Sequence, residues 1–88
     1  MTIEFKSSFL KQLQKLKDKA LQDAIYRVIV SVEYASAIED IPKIKKLAGY
    51  STYYRIRVGD YRIGLNVIDH IVYFVTFDHR KDIYKYFP

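Results

Sequence analysis

The sequence predicts an α+β domain in the order β-α-α-β-β-β: an N-terminal strand, a helical hairpin, a three-stranded antiparallel meander and a short C-terminal helical turn. Three observations carry this expectation. Apolar residues recur at helical spacing between Phe9 and Ala35 and alternate at period two from Tyr53 onward. The pairs Gly59-Asp60 and Asp69-His70 cut the second half into strand-length runs. Of the 88 residues, 50% are hydrophobic, enough for one modest core and a single domain over residues 1–88.

Thr2-Ile3-Glu4-Phe5 alternates polar and apolar side chains, as a short first strand does. Ser7 or Ser8 is placed to cap a first helix whose apolar side is Phe9, Leu10, Leu13 and Leu16. Lys11, Lys15 and Lys19, spaced by four, read as a solvated ridge. Asp18 is expected to begin a second helix, in which Leu21, Ile25, Val28, Ile29, Val32 and Ala35 form a core seam. Pro42 lacks an N–H and restricts Ile41, so a connection is expected over Ser36 to Pro42. Lys43 to Gly49 reads as a basic connector to the meander.

The meander opens with a hairpin around Gly59-Asp60, a two-residue turn beginning with glycine. Such a turn sets Val58 opposite Tyr61 and Arg57 opposite Arg62. Alternation then gathers Tyr54, Ile56, Val58, Tyr61, Ile63, Leu65 and Val67 on one face. Tyr53, Arg55, Arg57, Arg62, Gly64 and Asn66 share the other. The second hairpin strand is expected over Tyr61 to Ile68. Asp69-His70 then turns into the run Ile71 to Phe77, apolar enough for a strand covered on both sides. Ile83 and Phe87 are spaced for one face of a closing helical turn.

The net charge is +5, and its location is the informative part. Residues 43–62 hold Lys43, Lys45, Lys46, Arg55, Arg57 and Arg62 against the single acid Asp60; the remaining residues balance. A concentrated basic patch on a balanced protein implies a polyanionic partner, either nucleic acid or an acidic protein segment. Like charges directly opposite on paired strands cost up to about 1 kcal/mol, so the Arg57–Arg62 pair fits a phosphate-binding use.

The absence of cysteine excludes disulfides, thiolate metal sites and cysteine nucleophiles, and suits a reducing cytoplasm. No apolar run approaches the ~18 residues of a membrane span, and the N-terminus lacks a signal-peptide layout. His70 and His79 have no carboxylates at ligand-like spacing, so neither a metal nor another cofactor is expected. Metal-independent phosphate chemistry remains open, because RNA carries its own nucleophile in the 2′-hydroxyl. Arginine forks hold phosphate oxygens, and histidine is the natural proton carrier near neutrality. A tyrosine beside a cation can donate a proton. His79-Arg80-Lys81-Asp82-Ile83-Tyr84 supplies such groups just after the last strand. If that strand lies beside the Tyr61–Ile68 strand, its end is expected to return near Tyr53 and Arg55. His79 or Tyr84 would then border the arginines.

Three segments carry a resemblance to a known family: Lys46-Leu47-Ala48-Gly49, Tyr54-Arg55-Ile56-Arg57-Val58-Gly59-Asp60-Tyr61-Arg62-Ile63 and His79-Arg80-Lys81-Asp82-Ile83-Tyr84. In this order they resemble the RelE/ParE superfamily of bacterial and archaeal toxins, and most of all its RelE branch. The resemblance covers nearly the whole chain and implies a ribosome-dependent endoribonuclease that cuts mRNA in the A site. It also implies a cognate antitoxin that covers the active face, with operator DNA contacted only through that antitoxin. The implied catalytic positions are Arg57, Arg62, His79, Arg80 and Tyr84. Together with the basic patch, the expected RNA-binding set is Lys43, Lys45, Lys46, Arg55, Arg57 and Arg62. RelE itself has lysines where this chain has Arg55 and Arg57, and a lysine there has been assigned the base role. Arginine stays protonated in proteins, so here the base must come from elsewhere, and His79 is the candidate. Two alternatives stand beside this one: a ParE-like topoisomerase inhibitor without chemistry of its own, and a catalytically inactive module acting with its antitoxin as a repressor.

Overall fold

β-Branched and aromatic residues dominate the second half of the chain, and the computed structural model, which describes residues 1–88, folds that half into a twisted sheet. The elements are β1 (Thr2–Phe5), α1 (Ser7–Lys15), α2 (Lys19–Tyr34), β2 (Ile44–Lys46), β3 (Tyr53–Val58), β4 (Tyr61–Ile68) and β5 (Ile71–His79). Short 3₁₀ turns occupy Ile38–Asp40 and Ile83–Lys85. The sheet order is β1-β5-β4-β3-β2. No helix is long and apolar enough to cross a membrane.

The hairpin register matches the expectation, with Val58 opposite Tyr61, Arg57 opposite Arg62 and Gly59 at a φ of 59°. Two features were not expected. The presumed connector at Lys43–Gly49 contains β2, which pairs antiparallel with β3 and sets Ile44 against Ile56 over the core. Its lysines suit an edge strand, since charge there discourages pairing with other chains. The first strand joins the opposite edge parallel to β5, so the sheet is mixed.

The helices cover one face. Phe9, Ile25 and Val32 from the helices meet Ile56, Ile63, Leu65, Val72, Phe74 and Phe77 from the sheet in one buried cluster. Phe5, Phe9, Phe74 and Phe77 form its aromatic end, with ring centroids 5.3–5.7 Å apart. Asp18 caps α2 by accepting from the Leu21 N–H at 3.1 Å. The expected serine cap on α1 is not made: Lys6 holds that position without a side-chain bond. Ser8 instead donates to the Val75 carbonyl at 2.6 Å. The reason is at the sheet edge. β1 ends opposite Phe74, leaving the outer edge of the rest of β5 without a strand partner. Gln12 completes that edge, donating to the Phe77 carbonyl at 3.1 Å and accepting from the Phe77 N–H at 3.1 Å. Because α1 leans on this edge, Leu10 stays exposed.

A bulge interrupts β5. Gly64 pairs with Thr76 and Leu65 with Phe74, so Val75 has no partner on β4. The extra residue brings Phe74 and Phe77, three apart in sequence, to the same buried face. The second face of β5 is only partly covered, against the expectation of cover on both sides: Tyr73 and Val75 are not fully buried.

Candidate polyanion-binding face and its C-terminal border

The sheet face away from the helices carries the basic residues in two rows. Arg57, Arg62 and Asp78 are successive cross-strand partners on β3, β4 and β5. The neighbouring row is Lys45, Arg55, Gly64 and Thr76. Lys43 stands at the head of β2, and its carbonyl accepts from Arg55 Nη1 at 3.0 Å and from the Arg57 N–H at 3.3 Å. Lys43, Lys45, Arg55 and Arg57 line a shallow depression of about 300 Å³. Lys46 does not join them, because its partner Tyr54 puts it on the helix side.

The cations of this face are free of acidic partners. The ion pairs of the fold are Lys19–Asp23, Arg80–Asp60 and Lys85–Asp82, and none involves Lys43, Lys45, Arg55, Arg57 or Arg62. The repulsion between Arg57 and Arg62 is eased locally. Arg62 curls onto the turn, donating from Nη1 to the Gly59 and Tyr61 carbonyls, both at 2.9 Å.

Lys43 holds a left-handed backbone, with φ at 61°. That conformation turns its carbonyl towards the two arginines at a cost of about 1–2 kcal/mol for a non-glycine residue. Lys43→Gly is therefore expected to be more stable than Lys43→Ala by about 1 kcal/mol in urea unfolding, since glycine relieves the strain and alanine keeps it. Equal midpoints for the two variants would show that the backbone is unstrained.

The end of β5 lies elsewhere than expected. β5 runs antiparallel to β4, so it returns to the start of β4 at the Gly59-Asp60 turn, not to Tyr53 and Arg55. His79 pairs with Tyr61 on the helix side of the sheet, their rings edge-on at 5.7 Å, and its Nδ1 accepts from the Lys81 N–H at 3.2 Å. Arg80 sits at the turn, with its Nε 3.9 Å from the Asp60 carboxylate. Tyr84 is half-exposed on the closing 3₁₀ turn.

Sequence reasoning missed two residues of the arginine face. Asp78 is the cross-strand partner of Arg62, yet makes no ion pair with it. Its Oδ1 accepts from the His79 N–H at 2.7 Å, and its Oδ2 from the Tyr86 hydroxyl at 2.8 Å. The one available signal was Asp78 itself, a charge ending an apolar run. The Tyr86 hydroxyl is held above its ordinary pKa, first by burial and further by the Asp78 carboxylate, with Thr76 and Gln12 opposing. Raised folded-state pKa means that this contribution to stability is complete below the unfolded value of about 10 and is lost as pH rises through the folded value. Tyr86→Phe should thus flatten the loss of stability above about pH 10. An unchanged alkaline limb in thermal melts would contradict this.

Phe87 closes the border. Its ring lies directly on Gly64 and meets Tyr53 edge-on at 5.6 Å. Phe87 and Ile83 are both buried, outside the main core.

A five-stranded sheet with helices on one face and unneutralised arginines on the other defines a small α+β protein built around an open cationic surface. Residues 3–84 match the family described as the ParE toxin of type II toxin-antitoxin systems, and the chain belongs to that family. It is a type II toxin of RelE-like character. Toxin RelE3 of Methanocaldococcus jannaschii is 38% identical over 89 residues, covering all of both chains. The toxin in the crystal structure of a RelB-RelE antitoxin-toxin complex from Methanococcus jannaschii superposes with a TM-score of 0.77 at 38% identity, over 96% of this chain and 98% of that one. An archaeal RelE-RelB complex from Pyrococcus horikoshii gives a TM-score of 0.73 at 25% identity, over 92% and 96%.

Proposed function

We propose that this toxin is a ribosome-dependent endoribonuclease that cuts mRNA in the A site by attack of the 2′-hydroxyl, without metal or cofactor. The observation that carries the reading is the group of arginines on one sheet face that makes no ion pair. In it Arg57 and Arg62 hold the scissile phosphate, and Lys43, Lys45 and Arg55 hold flanking phosphates. Lys46 and Arg80 reach RNA only from the borders of the face, and Tyr84 meets it from the closing turn. His79 is turned to the other side of the sheet, so its expected part as base finds no support in the geometry. In the cytoplasm a cognate antitoxin neutralises the toxin by laying an acidic or amphipathic segment over the arginines, ordering as it binds.

Expression without the antitoxin should arrest growth, and purified toxin added to a translating extract should leave new mRNA ends confined to translated message. The family's ParE name favours a second reading, that of a topoisomerase poison, which predicts inhibited supercoiling without mRNA cuts. Harmless overexpression of soluble protein, with neither effect, would leave only a repressor role with the antitoxin.

A further inference from the structure

The geometry points to Asp78 and Tyr86 as the proton-transferring pair of the arginine face, with Asp78 taking the 2′-hydroxyl proton and Tyr86 protonating the 5′-oxygen leaving group. This rests on the nuclease reading above and names the groups that would perform it. Three observations support it. Asp78 is the direct cross-strand partner of Arg62, itself the partner of Arg57, so the carboxylate adjoins the place where a phosphate would be clamped. It is held as an acceptor, by the His79 N–H on Oδ1 and the Tyr86 hydroxyl on Oδ2, and not spent on an ion pair. The Tyr86 hydroxyl, 2.8 Å away, is the phenol physically joined to that carboxylate, whereas Tyr84 has no such link.

Other acceptors are placed worse. Arginine stays protonated. Asp60 faces Arg80 at the hairpin turn, and Asp82 faces Lys85. Glu4 lies in the row of Tyr73 and Asn66, four residues along β4 from Arg62. His79 points to the helix side.

The step balances without a co-reactant. The 2′-oxygen gives its proton to Asp78 and bonds to phosphorus. The bond from phosphorus to the 5′-oxygen breaks, and Tyr86 gives its hydroxyl proton to that oxygen. Tyr86 then recovers a proton from Asp78 across their hydrogen bond. The products are a 2′,3′-cyclic phosphate and a 5′-hydroxyl, and the enzyme returns to its starting state. Burial and the Asp78 carboxylate keep the Tyr86 phenol protonated at neutral pH but make it a weaker acid, so the donor assignment stands on its place beside Asp78.

The test compares wild type, Asp78→Asn, Tyr86→Phe and Tyr84→Phe on ribosomes programmed with a defined A-site codon. Single-turnover cleavage and ribosome co-sedimentation are read for each, with ordinary RNA and with RNA whose scissile 5′-oxygen is replaced by sulfur. A thiolate leaves without protonation, so it bypasses the donor but not the acceptor. Asp78→Asn and Tyr86→Phe should each lose about 10²–10⁴-fold in cleavage with ribosome binding retained. Sulfur should restore Tyr86→Phe and leave Asp78→Asn slow. Cleavage by both variants at the wild-type rate, or sulfur rescue of Tyr84→Phe in place of Tyr86→Phe, overturns the assignment alone. If Asp78→Asn does not fold, Tyr86→Phe and its rescue decide. A wild-type chain that cuts nothing on translating ribosomes overturns the nuclease reading, and this assignment with it.

Discussion

Joint replacement of Arg55, Arg57 and Arg62 by glutamine should abolish mRNA cleavage while leaving the fold intact. The three guanidinium groups project from β3 and β4 without contributing to the buried cluster, so the core loses nothing. Two opposing changes affect stability. Relief of the Arg57–Arg62 pairing returns up to about 1 kcal/mol. Loss of the bonds from Arg55 and Arg62 to backbone carbonyls costs a comparable amount, because those exposed carbonyls can turn to water. The net effect should therefore be small. Binding behaves differently. Each phosphate contact removed should lower the slope of log K against log salt by about 0.7 for single-stranded RNA. Measuring retention at several salt concentrations separates lost contacts from a lost fold, and melting curves confirm the latter. Unchanged cleavage by the triple variant would remove this face from the mechanism.

Gly64→Ala is expected to be the most damaging single methyl that can be added to the sheet. A Cβ at Gly64 would stand 2.7 Å from Phe87 Cζ and 2.8 Å from both Cε atoms, inside any tolerable contact. The β4 backbone is fixed by pairing on both sides, so the Phe87 ring must shift, at worst out of its seat. Losing its burial costs about 1.5–3 kcal/mol, which for a domain of this size lowers the melting temperature by roughly 10 °C. The double variant is the discriminating case. With Phe87 already alanine, the added methyl no longer meets the ring and slightly favours a strand, so Gly64→Ala should become neutral or mildly stabilising. Additive losses in the two variants would show that the glycine matters for some reason other than the ring above it.

The parts of the fold that depend on local periodicity were legible in the sequence. The hairpin at Gly59-Asp60, the Asp18 cap, the seam of α2 and the closing turn with Ile83 and Phe87 all follow from spacing and turn chemistry. Long-range pairing decided the rest. Nothing local marks Ile44 to Lys46 as a strand, since three residues with two lysines become one only when β3 offers an edge. The parallel seat of β1 beside β5 and the completion of that edge by Gln12 are likewise settled after the chain has folded back. For the site, the arginine face was legible because alternation and a two-residue turn fix which side chains share a face. Its border was not, because the end of β5 was assigned to the wrong end of β4, and the Tyr86–Asp78 bond joins residues whose spacing carries no pattern.

The unpaired Val75 decides which side chains beyond it face the arginines. Side chains in a strand obey a parity rule, and one extra residue inverts it for everything downstream. With strict alternation counted from Phe74, Asp78 would face the helices and His79 would face the arginines. The bulge exchanges them, offering a carboxylate to the cationic face and an imidazole to the other. A chain that kept every residue between Phe74 and Asp78 but paired without the bulge would thus present the imidazole in place of the carboxylate. Alignments that slide a gap through this stretch would equate residues on opposite sides of the sheet. Deleting Val75 would straighten the strand yet leave Thr76 opposite Gly64, Phe77 opposite Ile63 and Asp78 opposite Arg62, so the same carboxylate would still meet the arginines on an unchanged scaffold.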